Sequence, residues 1–151
     1  VGKYVAQLSF TASDWDPVTL HPDRLRNGLC PCLSGEQYGD CCGRFHSGEA
    51  DAPTAEQLMR SRYSAFVVLD PGYLLRTWHP STRPDSMELD PDMQWRRLDI
   101  VSTTNGGPLD TAGTVEFAAH YRLDGDRGVQ RELSRFVRED KRWFYVDGDV
   151  R

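Results

Sequence analysis

The chain has 151 residues, of which 38% are hydrophobic and 27% charged, with a formal net charge of −5 and a mean hydropathy of −0.60. This fits one ordinary soluble domain, or one domain plus a small appendage, and it excludes a global basic field for nucleic acid. No apolar run is long enough to span a bilayer and no basic-then-apolar signal segment opens the chain, so no membrane insertion and a cytoplasmic location are expected.

Residues 1–10 alternate weakly (Tyr4, Ala6, Leu8, Phe10) and predict an edge strand. The chain begins with Val1 rather than Met, so the natural start is expected upstream or part of this segment to be artificial. Residues 11–28 are rich in Asp, Pro and polar residues and read as loop, with Trp15 as an anchor onto the main body.

All four cysteines fall within Cys30–Cys42, which reads C-P-C-L-S-G-E-Q-Y-G-D-C-C. Two close pairs, Cys30/Cys32 and Cys41/Cys42, are joined by a short turn-rich loop. Structural zinc takes four ligands in a tetrahedron, and thiolates suit it. The loop has little apolar content, so a metal would replace the core it lacks. A cross-loop disulfide and free thiols are the alternatives. Four sulfurs leave no open position for water, so Zn2+ held by Cys30, Cys32, Cys41 and Cys42 is expected to be structural. His21 is a spare ligand candidate that a filled tetrahedron does not need. His46 can hydrogen-bond a thiolate or stay exposed, and Arg44 can offset thiolate charge. Residues 43–53 read as linker.

Thr54 to Gln57 fits a capping box that opens a helix. Leu58, Met59, Tyr63, Phe66 and Val67 give it one apolar face, with Arg60 and Arg62 flanking. Asp70-Pro71 restarts a second helix, with Tyr73, Leu74, Leu75 and Trp78 toward the core and Pro80 as its end. Residues 81–91 form a polar connection in which Met87 and Leu89 touch the body.

The remainder reads as strands. These are 94–101, 114–123, 129–138 and 143–146, with turns at 103–110, 124–128 and 139–142. In the second strand, Val115, Phe117, Ala119 and Tyr121 face one way, and Glu116, Ala118, His120 and Arg122 the other. Two helices followed by a curled antiparallel meander predict an α+β domain. A bent sheet over helices would enclose a cavity.

From residue 30 onward the chain resembles a known family. C-P-C-x-S-G-x-x-Y-x-x-C-C resembles the SEC-C motif, also found at the tail of the SecA translocation motor. The stretches Pro53–Glu56, Leu58–Phe66, Tyr73–Pro80, Arg131–Phe136 and Trp143–Asp147 are similar to the YchJ family. The resemblance implies three parts: residues 1–29 as an N-terminal extension outside the pattern, 30–53 as a zinc knuckle and linker, and 54–151 as an NTF2-like domain. It implies zinc at the four cysteines, and for 54–151 an NTF2-like/cystatin-like cone, a curved antiparallel sheet over helices. Two departures stand out. Leu33 occupies a position that is usually Gly and should resist a positive φ. The chain also ends at Arg151 without the second SEC-C motif that many members carry.

The resemblance to the SecA tail implies protein docking, with roles at the SecB chaperone and the ribosome. Another protein is therefore the expected partner. A zinc-held knuckle would present Glu36, Gln37, Tyr38, Arg44 and Phe45, with Tyr38 otherwise packing over the metal site. The Arg60/Arg62 pair can face an acidic partner or be a wet helix face.

The alternative is small-molecule binding or acid/base enzymology in the cone's cavity. Its candidate catalytic residues are His120, Glu116 and Asp99, with Glu132 or Arg135 brought close by neighbouring strands. His79 is expected to cap the second helix rather than do chemistry. Arg62, Tyr63, Trp78 and Arg135 can instead build a buried polar network. Nucleic acid is disfavoured at the knuckle, where Arg44 stands against Glu36, Asp40, Glu49 and Asp51. NTF2-like sheets often pair, which keeps a homodimer open.

Overall fold

The computed structural model describes residues 21–151. The expected edge strand over 1–10 and the Trp15 anchor lie outside the described residues. In order come a 3-10 turn at Pro22–Arg24, a second at Tyr38–Asp40, helices α1 (Cys42–His46), α2 (Ala55–Val67) and α3 (Pro71–Arg76), and strands β1 (Gln94–Asn105), β2 (Ala112–Leu123), β3 (Asp126–Glu139) and β4 (Arg142–Val150). The expected linker thus contains a helix, α1, which continues directly from the cysteines.

Both long-range helix starts follow their local chemistry. The Thr54 hydroxyl accepts from the Gln57 amide at 3.1 Å, and Asp70 accepts from the Tyr73 amide at 3.1 Å with Pro71 in the first turn. Only half of the capping box forms, because the buried Gln57 Oε1 accepts no hydrogen bond. Leu58, Met59, Tyr63, Phe66 and Val67 are all buried, as the helical spacing predicts. Trp78 packs edge-on to Tyr145, and two main-chain hydrogen bonds tie the end of α3 to β4: Tyr145 N to Thr77 O at 2.8 Å and His79 N to Tyr145 O at 2.7 Å.

The sheet overturns the expected cone. Its four antiparallel strands run in the order β1-β2-β3-β4, leaving β1 and β4 as separate edges. The sheet is open and not curled, with the helices packed on one face. Four strands with ordinary twist turn by only about 70° from edge to edge, far short of closure. Bulges at Trp95/Arg97, Ile100/Ser102 and Arg135/Phe136 bend strands locally without joining the edges. The β2–β3 turn is the two-residue Asp124-Gly125, with φ of 52° and 84°, the hand that matches strand twist. Asp140-Lys141 makes the same kind of turn between β3 and β4 without glycine, at φ of 51° and 66°.

The helix-facing side of the sheet carries Leu98, Val115, Phe117, Ala119, Phe136 and Tyr145, all buried in one core with α2 and α3. Met87 and Leu89 join that core, as expected. Glu132 and Ser134 lie on the same side and are also fully buried. Ser134 and Tyr145 donate hydroxyl hydrogen bonds to Glu132 Oε2 at 2.6 and 3.2 Å. Arg62, read as a helix flank, is instead among the most buried side chains, at 2% exposure. Its Nη1 donates to Leu74 O and Thr77 Oγ1, and its guanidinium lies 4.6 Å from the Tyr145 ring centre and 5.3 Å from that of Trp78. Burial pushes the Arg62 pKa down to about 10, opposed by the nearby Tyr145, Tyr73 and Glu132. It therefore stays cationic at neutral pH. Of the expected polar network, Arg62 and Trp78 belong to this one. Tyr63 meets Trp95 edge to face instead, and Arg135 pairs with Asp147 and Asp149.

Candidate functional site: a four-cysteine knuckle

The first cysteine pair sits on a small hairpin. Cys30 N donates to Glu36 O at 2.9 Å and Tyr38 N to Gly28 O at 3.0 Å, which folds the loop back on itself. Leu33 adopts the positive φ that its side chain should resist, at 67°. The residue therefore carries the strain of the left-handed region itself. The second pair follows a 3-10 turn. Cys41 N donates to Tyr38 O, and Cys42 opens α1. Gly43 has to be glycine here, since a Cβ would meet Tyr38 O at 2.7 Å.

The four sulfurs converge to within 4.8 Å of one another. Cys30, Cys32 and Cys42 are buried and Cys41 is half-buried, and all four are free thiols. Cys32 and Cys41 Sγ are 3.5 Å apart, and Ser34 Oγ donates to Cys41 Sγ at 3.1 Å. Zinc–sulfur bonds of about 2.3 Å give a tetrahedron with edges of roughly 3.8 Å, so these donors need only a small contraction to close on an ion. The thiols also constrain one another. Hydrogen bonds with Cys32 and Cys42 pull the Cys30 thiol down to about 3, whereas bonding to Cys30 and Cys32, together with burial, pushes Cys42 up. Crowded thiolates repel, so the set ionises together only around a cation. The donor set fits a metal ion.

Side chains from α2 and α3 fasten the knuckle to the sheet-bearing body. Arg60 Nη1 donates to Cys32 O at 2.9 Å, and Arg76 Nη2 caps α1 through Phe45 O and His46 O at 3.1 and 2.7 Å. His46 is neither exposed nor bonded to a thiolate. Its Nε2 donates to Ser61 O at 2.8 Å, which leaves Nδ1 to accept from Tyr38 OH. Burial lowers its pKa, against the opposing effect of the Ser61 carbonyl. Tyr38 packs on the cysteines, as one of its two readings held. Arg44 stacks on Phe45 at 4.8 Å. Arg60 is bound to Glu56 and Cys32 O, and Arg62 is buried, so the pair does not face a partner together. His21 is exposed and lies outside the cysteine cluster.

The catalytic candidates lie elsewhere. His120 Nε2 is 2.9 Å from Asp99 Oδ2, and Arg97 binds the same oxygen at 3.1 Å. Local desolvation works against the Asp99 carboxylate, but His120 and Arg97 outweigh it and its pKa falls. This cluster is on the sheet face turned away from the helices. Glu116, four residues from His120 along β2, is roughly 13 Å away at strand rise and out of bonding reach. Glu132 pairs in register with Phe117 and points into the core, and Arg135 pairs with Thr114. His79 does not cap α3. Its ring bonds Ser81 Oγ and the Glu139 carboxylate.

An open antiparallel meander under helices, joined to a four-cysteine knuckle able to hold a metal ion, defines a small α+β protein with a cysteine-built N-terminal motif. Residues 54–148 match the family model described as YchJ, middle NTF2-like domain, and residues 26–44 match the SEC-C motif. The chain is 56% identical over 120 residues to a UPF0225 protein of Streptomyces coelicolor, covering 80% of this chain and 94% of that one. It is 57% identical over 126 residues to another from Streptomyces avermitilis, covering 83% and 87%. A SEC-C motif containing protein from Rhodopseudomonas palustris superposes with a TM-score of 0.70 at 30% identity, covering 81% of this chain and 98% of that one. The chain belongs to the UPF0225/YchJ family. The motif match begins at residue 26, inside the segment expected to fall outside the pattern.

Proposed function

We propose that Cys30, Cys32, Cys41 and Cys42 hold a structural Zn2+ and that the chain is a docking module which grips another protein through this knuckle. The convergence of four sulfurs within 4.8 Å carries the reading. The ion would supply the crosslink for a segment with no core of its own, and with four thiolate ligands it would have no position for substrate. A reducing compartment such as the cytoplasm keeps such thiols available. No helix among the described residues is long and apolar enough to cross a membrane.

The surface offered differs from the one the sequence favours. Phe45 is buried and Tyr38 is half-buried, whereas Leu33 and Leu29 are 58% and 41% exposed, beside exposed Glu36 and Gln37. Apolar anchors rimmed by polar groups are how protein interfaces concentrate binding energy. The cavity-enzyme alternative draws no support from His120, which lies on the outer face, or from the helix-facing side, where Arg62, Glu132 and Tyr145 are fully buried.

Metal analysis of protein purified without chelator tests the first half, and zinc equimolar with the chain is expected. Metal-free protein with intact fold would refute it. The second half is read by affinity capture from a bacterial lysate with wild type, Cys41→Ser and Leu33→Glu. Loss of the same bound protein from both variants is expected. Identical captured sets from all three folded samples would remove the docking role.

A further inference from the structure

His79 leaves α3 uncapped and directs its ring to two other side chains. Nδ1 lies 2.7 Å from Ser81 Oγ, and Nε2 lies 3.0 Å from both oxygens of the Glu139 carboxylate. A hydroxyl, an imidazole and a carboxylate form one chain. The first two come from the turn after α3 and the third from the end of β3, 60 residues beyond His79.

The partners fix the tautomer. A carboxylate only accepts, so Nε2 carries the ring proton. The Ser81 amide donates to Nδ1 at 3.1 Å, which marks that nitrogen as an acceptor. The Ser81 hydroxyl therefore donates to a nitrogen able to take its proton. An exposed histidine–carboxylate pair adds little stability. What Glu139 sets is the orientation and protonation of the ring.

The turn is braced against β4. His79 N donates to Tyr145 O at 2.7 Å, and Thr82 N and Arg83 N donate to His79 O at 3.1 and 2.9 Å. Thr82 Oγ1 accepts from Trp78 Nε1 at 3.2 Å and donates to Val146 O, and Arg83 Nε donates to Trp78 O at 2.9 Å. The rings of His79 and Phe144 meet edge to face at 5.9 Å. The His79 side chain is 18% exposed, whereas Ser81 is open to solvent. The base is shielded and the hydroxyl is within reach of a ligand.

We propose that Ser81 is a nucleophile for acyl transfer from small esters, with His79 as its general base and Glu139 as a positioning residue. A nucleophile beside a base that a third group orients is the arrangement this chemistry requires, and it is recognised by geometry and roles rather than by fold. Ser81 Oγ adds to the ester carbonyl carbon as its proton passes to His79 Nδ1. The bond to the alcohol oxygen then breaks, and that oxygen leaves with the proton from Nδ1. Water attacks the acyl-serine with Nδ1 again taking a proton, which passes to Ser81 Oγ as the acid departs. Phe144, which meets the His79 ring, also borders a cavity of about 60 Å³ with Thr77, Arg76 and Arg142. A space of that size suits a short acyl chain. The site stands apart from the cysteines and does not depend on the knuckle's role.

The test treats the full chain with a fluorophosphonate probe, which phosphonylates an activated serine as fluoride leaves, and maps the label by peptide mass spectrometry. Label on Ser81 is expected. His79→Gln should slow labelling about 100-fold, the low end of what a general base contributes. Glu139→Gln should also slow it with the melting temperature unchanged, and Glu139→Asp, which keeps the charge, should lose less. Hydrolysis of p-nitrophenyl acetate should fall in Ser81→Ala, an exposed position whose replacement leaves the fold intact, and p-nitrophenyl octanoate should be the poorer substrate. An unlabelled Ser81, a labelling rate unchanged in His79→Gln, or ester hydrolysis unchanged in Ser81→Ala would overturn the proposal. Faster turnover of the octanoate than of the acetate would overturn it as well.

Discussion

Replacing Arg62 by Met tests the polar centre of the core. The substitution nearly conserves length and volume, so the effect comes from charge and hydrogen bonds rather than from a cavity. Arg62 is fully buried, spends Nη1 on Leu74 O and Thr77 Oγ1, and lies over the Tyr145 ring, whose hydroxyl binds Glu132. Removing the guanidinium leaves Leu74 O and Thr77 Oγ1 without their buried donor and takes away the charge that Glu132 acts on electrostatically. Leaving buried polar groups without their donor costs about 1–3 kcal/mol each, a large share of the 5–15 kcal/mol that holds a typical domain folded (about 0.05–0.15 kcal/mol per residue). Glu132→Gln should also destabilise, because it weakens the buried bonds from Ser134 and Tyr145 and the electrostatic influence on Arg62. The double variant Arg62→Met/Glu132→Gln removes both charges, so its loss should fall short of the sum by about 1–3 kcal/mol. Urea unfolding at fixed free zinc, followed by far-UV circular dichroism and tryptophan fluorescence, measures all three. A loss below about 1 kcal/mol for Arg62→Met, or strict additivity in the double variant, would show that the two groups are not coupled as described.

Three further tests probe separate parts of the fold. Because burial holds the His46 pKa below its ordinary value, the folded chain binds fewer protons than the unfolded one, and stability should fall as pH drops below about 6.5 toward the folded value. Urea midpoints measured between neutral and mildly acid pH should fall less steeply for His46→Gln, and equal slopes would exclude His46 as the source. Thr54→Ala removes the accepted Gln57 amide bond and should cost about 1 kcal/mol, read as a lower thermal midpoint. Gly148→Ala would place a methyl 2.6 Å from the Glu132 carboxyl carbon. The crowding should cost about 1–3 kcal/mol in the same denaturation assay.

Much of this architecture is legible locally. Thr54 and Asp70-Pro71 announce their helices because a cap needs only its next few residues, and the cysteines announce their cluster by spacing alone. What escapes depends on distant partners. Arg62 reads equally as a helix flank or as part of a buried polar network, and only strand register, which brings Tyr145 and Glu132 to it, decides for the second. The cone fails for a related reason. Alternation marks strands but not whether the first and last will meet, and here they remain edges. By proximity in sequence His46 reads as a thiolate's hydrogen-bond partner or as an exposed side chain, whereas it is buried between Tyr38 and Ser61 O.

The fastening of the knuckle to the helices has a mechanical corollary. Arg60, Arg76 and His46 anchor it at separate points, so it cannot swivel on a tether. Whatever seizes the cysteine end acquires a fixed heading for the whole molecule, and the far end of the sheet is carried along at a set angle. Cutting any one of these stays would loosen that heading while the four cysteines kept their own arrangement.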